Sequence, residues 1–273
     1  MVRRARVDAE LVRRGLARSR EHAVELISSG RVLIAGSVAQ KPATAVEPGT
    51  ALLVRELSDE VSWASRGAHK LLGALDAFGP AGLAVSGRRC LDAGASTGGF
   101  TDVLLERGAR EVVAVDVGYG QLVWKLQSDD RVYVHDRTNV RTLDVDTIGG
   151  PVDLVVADLS FISLALVLPA LAGCVVPGGD LVPMVKPQFE VGKDRVGAGG
   201  VVRDSALRAE VVLDVSRAAA QLGLRTVGAV ASPLPGPSGN VEYFLWLRAE
   251  SGTGAETEDA SNLIERAVQE GPQ

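Results

Sequence analysis

The chain has 273 residues, enough for one large or two ordinary domains. At 46% hydrophobic and 23% charged residues it has the balance of a soluble globular protein. Its net charge of −5 argues against a polyanionic partner only until it is divided along the chain. Residues 1–45 hold nine Arg or Lys (Arg3, Arg4, Arg6, Arg13, Arg14, Arg18, Arg20, Arg31 and Lys41) against four acids, a local charge of +5. Residues 249–273 hold six acids and one Arg, a local charge of −5. That asymmetry points to a basic module with a polyanion of its own.

The two cysteines, Cys90 and Cys174, lie in apolar runs and read as buried thiols. The histidines His22, His69 and His135 have no ligand-like spacing, so no metal is expected. MVRRARVDAE lacks the apolar core of a secretion signal, and no window approaches the run of about 20 apolar residues that a spanning helix needs. A cytoplasmic protein is expected.

DAELVRRGLARSREHAVELISSG reads as two short helices. The first carries Leu11, Leu16 and Ala17. The second is capped by Ser19, recurs at Ala23, Leu26 and Ile27, and closes at Gly30. RVLIAGSVAQKPATAV follows as short strands around the Ala35-Gly36 turn, and GTALLV completes a small sheet. The register of glycine, serine-arginine and apolar positions resembles the RNA-binding domain of ribosomal protein S-four over roughly residues 6–55. The resemblance implies phosphate and shape recognition of RNA that weakens with salt. Residues 58–65 read as a linker, with Trp63 packing at an interface.

From residue 66 helical and strand patterns alternate, which signals a parallel sheet with crossover helices. In RRCLDAGASTGGFTDVLLERGA, Cys90 and Leu91 end a strand and Thr101–Arg107 form a helix. The loop between them carries Asp92, Gly94, Ser96, Thr97, Gly98, Gly99 and Phe100. Glycines let backbone N–H groups approach a ligand closely, and the helix N-terminus favours a negative group. The spacing G-x-x-x-G-G disfavours a nicotinamide. The next strand ends in Asp116 and Val117, 24 residues after Asp92 in the case of Asp116, where an acid suits ribose hydroxyls. This combination resembles class I methyltransferases and implies S-adenosylmethionine. Asp136-Arg137-Thr138-Asn139 falls where such folds contact adenine.

Four ionisable residues sit at the ends of apolar strands or the openings of elements: Lys70, Asp158, Lys186 and Glu242. Buried charge is costly unless paired, so four converging charges read as a site. The K-D-K-E set resembles ribose methyltransferases of the FtsJ/RrmJ type. With the N-terminal domain, KPQFEVGK and PLPGPSGNVEYFLWL, nearly the full length resembles the TlyA / haemolysin A family. The longer form of that family methylates cytidine 2′-hydroxyls in the ribosomal RNA of both subunits.

The expected architecture is α/β. A Rossmann-like class I methyltransferase sheet (66–273) follows a linker (58–65) and a small N-terminal α+β S-four-like RNA-binding domain (1–57). Under this resemblance Lys186 is the base or the alkoxide stabiliser, Lys70 and Glu242 position substrate, and Asp158 ties the lysines to the cofactor edge. The basic residues of the N-terminus and Arg66 contact RNA. Base methylation fits less well, since Asp158-Leu-Ser-Phe161 stands in place of an N/D-P-P-Y/F motif. Carbon-5 chemistry lacks a placed cysteine. A ribosome-binding factor without methyl transfer and a membrane-lytic protein stay as alternatives. Residues 250–261 read as flexible, before a short terminal helix in NLIERAVQ.

Overall fold

A computed structural model describes residues 4–55, 63–236, 238–249 and 257–272. The chain divides into two compact units, residues 1–62 and 63–273. The second unit thus begins at Trp63, inside the stretch read as linker, because Trp63 packs against that unit's core and the Ala64 amide donates to Asp102 at 2.9 Å.

In the first unit, β1 (Ala5–Arg6) pairs with β4 (Ala45–Val46), and β2 (Val32–Ile34) lies between β3 (Ser37–Val38) and β5 (Leu52–Val54). Helices α1 (Val7–Arg13) and α2 (Arg20–Ser28) pack their apolar faces, Val7 and Leu11 with Ala23, Leu26 and Ile27, onto Val32 and Val46. Ser19 caps α2 by accepting the His22 amide at 3.2 Å. The expected first helix is shorter than its apolar pattern. Gly15 takes φ +71° and ends it, so Leu16 and Ala17 fall in a turn whose amides return to the Leu11 carbonyl.

The second unit runs α3 (Gly67–Phe78), β6 (Arg89–Ala93), α4 (Gly99–Glu106), β7 (Glu111–Val115), α5 (Trp124–Gln127) and β8 (Val132–His135). It continues through β9 (Val152–Ala157), α6 (Leu168–Cys174), β10 (Val175–Val185), α7 (Pro187–Glu190) and α8 (Ser205–Ala220). It ends with β11 (Leu224–Ala231), β12 (Tyr243–Ala249) and α9 (Thr257–Glu270). The terminal helix starts inside the segment read as flexible; residues 250–256 of that segment lie outside the described residues.

The seven strands are ordered β11-β12-β10-β9-β6-β7-β8, with β12 antiparallel to both neighbours and the β10-to-β8 run parallel. Successive side chains on a strand point to opposite faces. Cys90, Val112, Leu154 and Val182 therefore meet Leu71, Phe78 and Leu104 on one side, while Leu91, Val113, Val155 and Leu181 meet Leu168, Val212 and Ile264 on the other. Covering both faces explains why these strands read as continuous apolar runs. Among the described residues no helix is long and apolar enough to cross a membrane.

Candidate active site

The register of the sheet brings the site together. Ala157 pairs with Pro183 and Val185 pairs with Tyr243, so Asp158 leaves β9, Lys186 leaves β10 and Glu242 enters β12 at one sheet edge. Only an antiparallel β12 lets a strand start there. Lys70, in the first turns of α3, is buried beside them and pairs with Glu242 Oε2. The other oxygen, Oε1, has no hydrogen-bond partner. Gly236 leaves it room: a side chain there would bring a Cβ within 2.6 Å of it. Lys186 Nζ lies 2.6 Å from Asp158 Oδ1 and donates to Ser160 Oγ at 2.9 Å. Lys70, Asp158, Ser160 and Lys186 line one cleft of about 310 Å³ with Ser65 and Arg66.

A second cleft of about 450 Å³ continues from the first, sharing Gly94, Ser96, Asp158 and Ser160 with it. Gly94 must be glycine: at φ +89°, a Cβ would lie 2.5 Å from the Asp158 carbonyl oxygen. Gly98, at φ +102°, would drive a Cβ into Leu126 and so delivers the chain into α4. Gly99 has no room for a side chain against Ser65 and the Ala68 amide. Thr97 lines the first cleft, and buried Phe100 borders it while packing on Phe244 at 6.0 Å. Asp116 accepts the Ser96 amide at 2.8 Å and the Gly118 amide at 2.7 Å, which fixes its carboxylate at the rim of the second cleft beside exposed Val117.

Three expected cofactor contacts sit elsewhere. Asp92 is fully buried beneath the loop and lines neither cleft. Its Oδ2 accepts the Thr101 hydroxyl at 2.7 Å, Oδ1 has no partner, and burial pushes its carboxyl up to about 7. Asp136 accepts the Gly120 amide at 2.9 Å. Arg137, at φ +54°, places its guanidinium 4.2 Å over the Tyr119 ring. Both brace the 116–121 loop, and Thr138, Asn139 and Val140 line the cleft instead.

Two residues at the mouth were not singled out from sequence. Ser160 holds Lys186. Phe161 is 89% exposed at φ +65°, its ring 5.2 Å from that of Phe189. The quoted Asp158-Leu-Ser-Phe161 motif was the available signal. Cys90 and Cys174 are buried, with thiols pushed up to about 12 and about 11 by desolvation, which leaves no placed sulfur nucleophile. Among the described residues no three His, Cys, Asp or Glu side chains gather.

The basic residues of the first unit are organised by two buried acids. Arg6 and Arg20 reach Asp8 at 2.9 and 3.2 Å, and Arg13 and Arg14 reach Glu10 at 2.6 and 2.7 Å. Those arginines hold the Asp8 and Glu10 carboxyls down to about 2. Arg14 also donates to the Pro48 and Thr50 carbonyls, so its guanidinium is committed to the fold. Arg4 pairs with Glu47 at 3.3 Å, and Arg31 donates to the Arg55 carbonyl. Arg18 and Lys41 are exposed, and Arg3 lies outside the described residues. Arg66 lines the second unit's cleft with Lys70 and Lys186.

The FtsJ-like methyltransferase family model matches residues 63–249, and an S4 domain model matches 5–52. The 16S/23S rRNA (cytidine-2′-O)-methyltransferase TlyA of Mycobacterium tuberculosis is 64% identical, with both chains covered in full. YqxC of Bacillus subtilis is 38% identical over 97% of this chain and 94% of its own. A solved haemolysin-named protein of Streptococcus thermophilus superposes with a TM-score of 0.75 at 37% identity, covering 99% of this chain and 98% of that one. With a family model matching residues 63–249 and relatives matched over nearly their full lengths, the chain belongs to the FtsJ-like methyltransferases, within the TlyA / haemolysin A group.

Proposed function

We propose that the chain transfers a methyl group from S-adenosylmethionine to the 2′-hydroxyl of cytidine in 16S and 23S ribosomal RNA. The observation that carries this reading is one groove with two halves. One half ends at the fixed Asp116 carboxylate, and the other runs along the glycine loop to Lys70 and Lys186, each paired with a carboxylate. The residues present fit the cofactor: Gly94 and Ser96 line both halves of the groove, and Asp116 keeps a lone pair on each oxygen for ribose hydroxyls. When bound, S-adenosylmethionine supplies an already activated methyl.

The chain's own work is then positioning and charge. Lys186 has three N–H donors, directs one at Ser160, lies in ion-pair range of Asp158, and can turn another toward the ribose oxygen, where it stabilises the developing alkoxide. Lys70, held by Glu242, orients the same sugar from the other wall. Phe161 offers an open ring face at the lip on which an unstacked target base can lie. Arg4, Arg6, Arg13, Arg18, Arg20, Arg31 and Lys41 place RNA phosphates.

The test is transfer of labelled methyl from S-adenosylmethionine to ribosomal subunits by the wild type and Lys186→Ala. Wild type should yield an alkali-resistant dinucleotide, since a 2′-O-methyl blocks strand cleavage, and the variant should not. Label on a base overturns the mechanism. Cofactor binding without transfer points to a binding factor instead.

A further inference from the structure

The loop that follows β9 carries Asp158, Ser160 and Phe161. Its backbone is tied to the sheet at Asp158, whose amide donates to the Ala93 carbonyl at 3.1 Å, while Phe161 stands at φ +65°, a conformation L side chains rarely adopt unaided. What holds it is a row of side chains from α7. Lys186 bonds Ser160, the Phe189 ring meets the Phe161 ring at 5.2 Å, and Glu190 closes the row. One Glu190 oxygen accepts the Ser163 hydroxyl at 2.6 Å and the other accepts the Leu164 amide at 2.9 Å. Ser163 in turn caps the turn at Leu164–Leu166 through the Ala165 amide. Glu190 is partly buried and forms no ion pair among the described residues, so both its oxygens serve neutral donors. A carboxylate desolvated without a cation is costly. The core does not need it, since α7 and the loop already meet through the phenylalanines.

We propose that Glu190 is a positioning residue for methyl transfer: by clamping Ser163 and Leu164 it fixes the loop that sets Asp158 and Ser160 around Lys186 and presents Phe161. The inference rests on the reading of Lys186 as a catalytic group. The loop also lines the second cleft from Asp158 to Ile162, while Gly94, Ser96 and Asp116 stand on other elements, so the clamp acts on turnover and, to a smaller degree, on cofactor affinity.

The experiment compares Glu190→Ala, Glu190→Gln, Ser163→Ala and Lys186→Ala in full-length protein. Single-turnover methylation of ribosomal subunits, S-adenosylmethionine affinity and hydrogen exchange at the Leu164 amide are followed. Glu190→Ala should slow transfer between about ten- and about a hundred-fold, the scale of a small misplacement of reacting groups. Its cofactor Kd should rise by a smaller factor than the rate falls, while Leu164 exchange accelerates. Glu190→Gln should restore both rate and protection, since its carbonyl accepts the Leu164 amide and its NH₂ donates to the Ser163 oxygen. Ser163→Ala, which removes one of the two bonds, should fall between; it decides the matter if Glu190→Ala does not fold.

A wild-type rate in Glu190→Ala or Ser163→Ala overturns the proposal. So does an equal loss in Glu190→Gln, which would show that the charge acts on the reaction directly. Lys186→Ala separates the two readings. Inactive Lys186→Ala beside intact Glu190→Ala removes only the clamp, whereas active Lys186→Ala removes the site reading beneath it.

Discussion

The two units use the same ion pairs to opposite ends. In the first, the acids are buried and the bases are not: Asp8 and Glu10 side chains are 3% and 4% exposed, while those of Arg6, Arg13 and Arg20 are 51–64% exposed. The carboxylates act as hidden anchors that hold guanidinium groups outward toward solvent. In the second, both members of the Lys70–Glu242 pair are removed from water, at 6% and 0%. There the surroundings no longer screen, and each charge depends on its partner. Exposure of the cation, rather than the number of pairs, separates the Asp8 and Glu10 clusters from the Lys70–Glu242 pair.

The largest effect that tests this contrast is on chemistry. Lys186→Ala removes the donor aimed at the developing alkoxide and should lower the methyl-transfer rate on the order of a thousand-fold, with cofactor binding retained, as read by single-turnover kinetics and calorimetry. Next is stability. Glu242→Gln strands a buried lysine and should cost about 3 kcal/mol in urea unfolding, whereas replacing Lys70 and Glu242 together by Met and Leu should recover most of it. Equal costs for the single and double variants would erase the distinction between the units.

The units should also answer pH with opposite signs. Asp92 is raised to about 7 in the fold against about 4 unfolded, so the folded state binds the extra proton and stability is lost as pH rises from about 4 to about 7. Asp8 and Glu10 are lowered to about 2, so their contribution is present above about 4 and disappears as pH falls toward about 2. Asp92→Asn should flatten the slope of Tm between pH 4 and 7 and leave the acid limb unchanged. The smallest effect is Glu10→Gln. It should lower Tm modestly, because Arg13 reaches solvent and Arg14 keeps its Pro48 and Thr50 carbonyls, yet weaken RNA binding by loosening Arg13, a loss that added salt should mask.

The K-D-K-E residues were legible because each closes or opens an apolar strand, and strand period and direction then fix where they meet. Gly94 and Asp116 were legible because spacing carries backbone geometry. Asp136 and Arg137 were misplaced for a reason local patterns do not contain: the Arg137 backbone turns left-handed and its side chain is captured by Tyr119, so the chain presents Thr138 and Asn139 to the cleft. Arg14 looked like its neighbours in sequence but is claimed by carbonyls more than 30 residues away. Charge counting cannot separate an arginine that faces out from one that closes a fold. The N-terminal end of α9 hides in a polar, acidic stretch whose helical period emerges only once Ala260, Ile264 and Ala267 are seen to be covered.

The place of β12 bears on how the protein is made. It is the last strand to leave the translation machinery, yet it belongs between β10 and β11, which are both older. Until residues 243–249 emerge, the edges of β10 and β11 have no neighbour to bind, and Lys70 waits for an acid encoded about 170 positions later. A nascent chain therefore gains Glu242, and with it the partner of Lys70, only with its final strand, long after the residues of the glycine loop and the Asp116 rim have been made.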